Sequence, residues 1–271
     1  MHRVMTMFIA LMMITSAAAV TMAQPAEAVF SVRCDPSHVL PDDPIVFPGQ
    51  SGASHEHLFF ANRSTDAFST FDEMRGGTTT CPLSADTAGY WVPTLYKGGA
   101  LVMPRRILAY YRVPAKSVDP TTVIPFPPDF RLVAGGTSTV NPFVTPNFVF
   151  WSCTDSASTR SPEPQPCPKH TRITIAFPSC WDGIHLDSAD HRSHVTYPHP
   201  RTGCPASHPQ PIPRLGLTVV WFNTDLTGAT FSSGGSISAH ADFWNTWDQE
   251  VLAANVTRCI NTERNCIDLK D

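Results

Sequence analysis

The chain has 271 residues, a formal net charge of −4 and only 15% charged residues, so it lacks the basic excess of a nucleic-acid-binding protein. Its 26 Pro are about twice the usual share. The 42% of hydrophobic residues, with six Trp and 16 Phe, nevertheless provide enough apolar surface to exclude a disordered chain. We expect one loop-rich globular domain, monomeric and without a nucleic-acid partner.

The first predicted element is a secretory signal peptide over residues 1–28. Arg3 provides a positive start, residues 8–14 form a short apolar stretch, and Ala26-Glu27-Ala28 fits an A-x-A cleavage site. The apolar stretch is too short to cross a bilayer of roughly 30 Å, and no later stretch predicts a membrane span. The sequence therefore predicts a protein that is secreted, extracellular or associated with the cell wall, with a single domain over residues 29–271.

Eight cysteines follow the predicted signal peptide, and none forms a C-x-x-C pair. An even number of cysteines in an exported chain is typical of disulfides. Pairing of successive cysteines predicts the bridges Cys34–Cys81, Cys153–Cys167, Cys180–Cys204 and Cys259–Cys266. Residues 156–168, which are rich in Ser and Pro, are predicted to be a surface loop closed by one of these bridges.

Short strands, most of them bounded by Pro, Gly or Asn, dominate the predicted secondary structure. In chain order they cover residues 45–47, 57–60, 90–96, 107–113, 130–133, 148–151, 172–177 and 217–222. One helix is predicted near the C-terminus, with Asp242 as N-cap and Phe243, Trp247, Val251 and Leu252 at helical spacing. This pattern predicts a mainly β fold, a β-sandwich or jelly roll with long loops.

Histidine is the residue type that points to chemistry, with ten copies after the predicted signal peptide. His55 and His57 are separated by one residue, so on a strand both side chains point to the same face. They can converge on one metal ion or one substrate group, because imidazole is the commonest metal ligand and general base. Alternatively, both rings are structural and bond to backbone carbonyls.

A denser stretch, residues 182–194, holds three His, three Asp and one Arg. It predicts either a site with the carboxylates that orient it or a disulfide-anchored loop of Asp-centred turns. Asp190 and His194 are its candidate site residues. His240, directly before the predicted helix, can face a pocket.

Flat aromatic side chains are the predicted sugar-stacking groups, although the same rings can belong to the core. The candidate substrate-binding residues are Trp91, Tyr111, Trp181 and Arg112. The chain has no G-x-S-x-G, H-E-x-x-H, Walker or dinucleotide-binding motif.

A series of motifs in residues 34–259 follows a recognisable order. They are Pro48-Gly49 with His57 and Phe60, Tyr90-Trp91-x-Pro93, Phe130-Arg131-Leu132, Cys180-Trp181-Asp182-Gly183, Asp190-His191-x-Ser193-His194 and His240-Ala241-Asp242-Phe243. In them the chain resembles the secreted domain-of-unknown-function family 1996 of fungi and actinobacteria. The resemblance implies a link to cell-wall or environmental polysaccharide and transfers no catalytic residues.

The leading hypothesis is a polysaccharide hydrolase or lyase with His57, His194 and Asp190 as catalytic residues. One divalent metal ion would be held by His55, His57, His194 and His240, with His57 and His194 in a single site. The alternative is a non-catalytic glycan-binding or wall-associated protein whose His/Asp clusters are structural. The geometry of the histidines distinguishes these two hypotheses, because a functional cluster must converge from separate strands on an open cleft.

Overall fold

A computed structural model describes residues 28–136, 148–154 and 156–271 of the chain. The predicted signal peptide lies outside these residues, apart from Ala28. The described residues are mainly β, as the sequence predicts, and their helices are short. None of their helices is long and apolar enough to cross a membrane.

The strands are short and follow one another closely. In chain order they are β1 Val29–Cys34, β2 Pro36–Leu40, β3 His57–Ala61, β4 Gly89–Pro93, β5 Leu95–Lys97, β6 Ala100–Leu101, β7 Arg106–Arg112, β8 Arg131–Gly135, β9 Val149–Cys153, β10 Ser156–Ser161, β11 His170–Ala176, β12 Cys180–Trp181, β13 Val195–Thr196, β14 Gln210–Pro211, β15 Arg214–Phe222, β16 Thr230–Phe231, β17 His240–Trp244 and β18 Asn265–Cys266. The helices are α1 Phe71–Arg75, α2 Gln249–Asn255, a π-helix Val256–Asn261 and two 3-10 turns, Pro120–Thr122 and Ser236–Ser238.

Two large sheets form the sandwich. The seven-stranded sheet has the order β10-β9-β11-β15-β7-β1-β18, and the five-stranded sheet has the order β2-β3-β4-β17-β8. Neighbouring strands in both are antiparallel, except that β1 and β18 run parallel. Two small three-stranded sheets, β13-β12-β14 and β16-β5-β6, complete the described strands.

One hydrophobic core lies between the two large sheets, because alternate residues of each strand point inward. Tyr90 of β4 and Tyr111 of β7 meet there, with their hydroxyl oxygens 2.6 Å apart. The Trp247 indole N–H donates to the Tyr111 hydroxyl at 3.0 Å, and Tyr90 donates to the Asp86 carboxyl group. Tyr111 is therefore a fully buried core residue and does not reach a surface where it could stack on a sugar.

All four predicted disulfides are confirmed: Cys34–Cys81, Cys153–Cys167, Cys180–Cys204 and Cys259–Cys266. The described residues contain no free cysteine. The second bridge does close residues 156–168, but part of this segment is strand β10 at the edge of the seven-stranded sheet rather than loop.

Two predicted elements are wrong. Residues 45–47 form a turn rather than a strand, because the Asp43 carboxylate accepts hydrogen bonds from the backbone N–H groups of Ile45 and Val46. Asp242 lies in the middle of β17 and caps no helix. The helix α2 begins later, and its N-cap is Asp248, whose carboxylate accepts from two backbone N–H groups.

Candidate functional site

The candidate site lies on the outer face of the five-stranded sheet. Alternation along the strands points His57 and Phe59 of β3, Trp91 of β4, and His240 and Asp242 of β17 away from the main core. The loop of residues 41–56 and helix α1 cover this face. Between them they enclose a second hydrophobic cluster of buried residues: Ile45, Phe59, Met74, Trp91, Val133 and Trp244.

Strand pairing brings the histidines together. His57 of β3 is paired with Pro93 of β4, which lies between β3 and β17. On the other side of β4, Asp242 is paired with Trp91, so His240, two residues earlier, lies next to Pro93. The His57 and His240 Nε2 atoms are 3.2 Å apart. His55, just before β3, places its own Nε2 3.2 Å from His240 Nε2. Three of the four predicted metal ligands thus meet from two separate strands.

The hydrogen bonds of two of these rings determine their tautomers. His57 Nδ1 lies 2.9 Å from the backbone oxygen of Asp42, and His240 Nδ1 lies 2.8 Å from that of Ser238. A carbonyl oxygen only accepts, so both Nδ1 atoms carry the proton and both neutral rings present a lone pair at Nε2. Two such lone pairs 3.2 Å apart repel each other unless a cation or a proton lies between them.

Two buried carboxyl groups adjoin the histidines. Asp242 is fully buried, and neither of its oxygens has a hydrogen-bond partner among the described residues. Its Oδ2 lies 3.9 Å from His240 Nε2. Asp43, His57 and Asp242 each place one ligand atom within 4.8 Å of the others. The five side chains His55, His57, His240, Asp43 and Asp242 are called the His/Asp cluster below.

Burial controls protonation in the His/Asp cluster. Desolvation raises the pKa of Asp242 well above its ordinary value, and the nearby Asp43 carboxylate raises it further. Desolvation also lowers the pKa of His57 well below its ordinary value, and it lowers the pKa of His240 to about 4. The histidines are therefore neutral near pH 7, which is the form that binds metals.

A cavity of about 390 Å³ adjoins the His/Asp cluster and is bordered by His55, His240, Asp43 and Asp242. Arg192 borders it too, and its guanidinium donates to the backbone oxygen of Gly135 at 3.0 Å. The cluster is consequently accessible from one side and closed by the sheet on the other.

His194 lies elsewhere. It is fully buried, with Nδ1 2.9 Å from the Ser188 hydroxyl and Nε2 2.8 Å from the backbone oxygen of Arg131. Arg131 begins β8, whereas Gly135, which is paired with His240, ends it, about 13 Å away. Both ring nitrogens of His194 are used locally, and the structure does not bring it into the His/Asp cluster.

Asp190 organises its own loop. Its Oδ1 accepts from the backbone N–H groups of Arg192 and Ser193 and from the hydroxyls of Ser188 and Ser193, which together hold its pKa below the ordinary range. Asp182 and Asp187 similarly bond to histidines three and four positions later. The geometry of this stretch corresponds to the Asp-centred turns of the second interpretation.

The predicted substrate-binding residues do not form one surface. Trp91 is fully buried beneath the His/Asp cluster, and Tyr111 is in the main core. Trp181 is half-buried and donates to the backbone oxygen of His185 at 2.7 Å. Arg112 lies on the outer face of the seven-stranded sheet, with its guanidinium 4.1 Å from the centre of the Tyr110 ring.

The roles of Asp43 and Asp242 were not predicted from the sequence. A signal for Asp242 was present, because His240-Ala241-Asp242 has the same one-residue spacing as His55-Glu56-His57. For Asp43 the sequence contained no comparable signal, since its position depends on how loop 41–56 folds over the sheet.

The fold and the site define the molecule as a disulfide-bonded β-sandwich with a buried His/Asp cluster beside an open cavity. The chain belongs to the DUF1996 family, described as a domain of unknown function, whose model matches residues 43–247. The matched range contains all five residues of the cluster. No curated protein and no solved structure matches the chain.

Proposed function

We propose that the protein is an extracellular, metal-dependent hydrolase or lyase of cell-wall or environmental polysaccharide. The observation that carries this proposal is the convergence of the Nε2 atoms of His55, His57 and His240 at separations of 3.2 Å to the central His240. The four disulfides are consistent with an extracellular protein.

The donor set fits one divalent transition-metal ion. Three neutral imidazoles with an open position form a frequent catalytic zinc arrangement. The backbone carbonyls behind His57 and His240 act as the outer partners that fix the tautomer of a metal-binding imidazole. A divalent cation would also favour the ionised form of Asp242, whose buried carboxyl group has no hydrogen-bond donor among the described residues.

The bound ion would polarise a water molecule or a glycan oxygen. Asp43 and Asp242, which adjoin the histidines, are the candidate proton acceptors or additional ligands. Arg192, at the edge of the cavity, is the candidate contact for a substrate hydroxyl or carboxylate. The cavity volume of about 390 Å³ lies within the range of small-molecule sites, and a single sugar unit fits this size.

The second candidate function is a glycan-binding or wall-associated protein in which the His/Asp cluster holds a structural ion. Complete burial of His57 and Asp242 favours this alternative, because a catalytic metal ion needs at least one coordination position that a substrate or water can reach. In this case the ion would bind to the folded state and stabilise it without turnover.

Elemental analysis of the purified mature protein, together with H240A and H194A, tests the metal site. We expect about one equivalent of a transition metal in the wild type and in H194A, and loss of that metal in H240A. H194A is the matched control because it removes a buried histidine outside the cluster. A wild-type protein that holds no metal, even after dialysis against zinc, would contradict the proposal.

A panel of polysaccharides separates the two functions. Release of new reducing ends by the metal-loaded protein, abolished in H240A, supports the enzyme. A stoichiometric metal without product from any polysaccharide supports the structural ion instead.

A further inference from the structure

A groove of about 620 Å³ crosses the outer face of the seven-stranded sheet, on the opposite side of the sandwich from the His/Asp cluster. Four of its eleven described lining residues are Arg, and none of the eleven is Asp or Glu. The arginines are Arg112, Arg160, Arg172 and Arg214. This concentration of positive charge contrasts with the net charge of −4 of the whole chain.

The strand pairing shapes the groove. Gly216 of β15 is paired with Ala176 of β11, and Thr218 is paired with Thr174, so its floor consists of small residues. Longer side chains stand around this floor. From Arg214 to Val220, the partner of Arg172, β15 advances six residues, or about 20 Å. The groove can therefore accommodate a chain of several sugar units.

Contacts with the protein orient the guanidinium groups. Arg112 lies over the Tyr110 ring at 4.1 Å and Arg160 lies over the Phe150 ring at 4.2 Å. Arg172 Nε donates to the Ser152 hydroxyl at 2.9 Å. Planar guanidinium groups held in place lose less entropy on binding and match the geometry of carboxylate and sulfate oxygens.

We propose that this groove is a binding site for an anionic polysaccharide, with the arginines contacting carboxylate or sulfate groups repeated along the sugar chain. A single-stranded nucleic acid fits less well, because its bases need aromatic faces for stacking. Here guanidinium groups occupy one face of the Tyr110 and Phe150 rings. The proposal is independent of the metal site and of any catalysis there.

Binding of the full mature protein to immobilised polysaccharides tests the groove. The probes are polygalacturonate for carboxylates, dextran sulfate for sulfates, neutral dextran, and a single-stranded oligonucleotide. The variant R112Q/R172Q removes two guanidinium groups, and R75Q/R63Q removes two exposed arginines outside the groove. Melting curves of both variants establish that they are folded.

We expect binding to at least one anionic glycan, weaker at high salt. R112Q/R172Q should reduce the affinity by about tenfold or more, the change that about 1.4 kcal/mol of lost interaction produces, while R75Q/R63Q keeps it. Preference for polygalacturonate or for dextran sulfate identifies the anionic group. Equal binding to neutral dextran, tighter binding to the oligonucleotide, equal losses in both variants, or no binding at all would overturn the proposal. None of these outcomes affects the metal measurement on H240A.

Discussion

Asp86 is an acidic residue that is fully buried beside Tyr90 of the main core. Its fully buried carboxyl group accepts hydrogen bonds from the Tyr90 hydroxyl and from the backbone N–H of Ala88. Desolvation raises its pKa to about 8, although both of these hydrogen bonds act in the opposite direction. The carboxyl group is therefore mostly protonated in the folded protein at pH 7.

This shift predicts a pH-dependent stability. Between about pH 4 and pH 8 the unfolded chain releases the Asp86 proton while the folded protein keeps it, so the free energy of unfolding falls as the pH rises. The isosteric variant D86N lacks this ionisation. We expect the stability of the wild type relative to D86N to fall by about 1 kcal/mol per pH unit in this window. Urea denaturation of both proteins at pH 5 and pH 7 measures it, and parallel pH profiles would contradict the assignment.

The contacts of His194 define its role as well. Truncation to Ala removes the hydrogen bond to the backbone oxygen of Arg131 and one of the bonds of the Ser188 hydroxyl, which still donates to Asp190. We expect H194A to lower the free energy of unfolding by about 1–3 kcal/mol. Thermal or chemical denaturation measures this loss. A stability equal to that of the wild type would show that the two contacts are replaced by water.

At the scale of elements, the start of α2 shows that helical spacing of apolar residues can predict the wrong start of a helix. Phe243, Trp247 and Leu252 are all buried in the main core, but Phe243 belongs to a strand, Trp247 to the connecting segment and Leu252 to the helix. Their spacing imitates one amphipathic helix because three successive elements pack on the same core. Asp248, rather than Asp242, provides the cap.

The cap can be tested directly. D248A removes the acceptor for the backbone N–H groups of Glu250 and Val251, and should destabilise the protein by about 1 kcal/mol. D248S retains a capping oxygen and should lose much less. Chemical denaturation compares the three proteins; equal losses in D248A and D248S would show that the cap is not the cause.

The sequence predicts those features of the fold and site that depend on residues close together in the chain, and it fails for features that depend on distant strands. The one-residue spacing of His55 and His57 predicted that they meet, although His55 lies just before β3 rather than on it. Successive cysteines paired as predicted. Both predictions needed only the order of residues along the chain. The separation of His194 from the His/Asp cluster depends on its bonds to Ser188 and Arg131, and the latter lies in a distant strand. The burial of Tyr111 likewise depends on which face of β7 packs against the core, and the local sequence does not specify this.

At the scale of the whole molecule, the disulfides close loops of very different lengths. Cys34 and Cys81 are separated by 47 positions, whereas Cys259 and Cys266 are separated by 7. In the chain-entropy description a longer closed loop restricts the unfolded state more strongly. The first bridge should therefore stabilise the fold more than the last one.

The expected losses are about 4 kcal/mol for C34A/C81A and about 2 kcal/mol for C259A/C266A. Denaturant titrations of the two double variants measure the difference. Intact mass with a thiol-reactive label should show no free cysteine in the wild type before reduction. A larger loss for C259A/C266A would mean that local contacts, rather than loop length, determine the stabilisation.

The parallel pairing of β1 with β18 has a consequence for synthesis. Val29 pairs with Asn265, and the backbone N–H of Leu269 donates to the carbonyl oxygen of Ser31, so the first strand of the described chain is completed by the last. A ribosome releases β1 long before β18 exists. Until then β1 presents an open edge on which another chain could pair. The seven-stranded sheet is complete only after β18 has been synthesised, and this pairing joins residues far apart in the described chain, which slows folding.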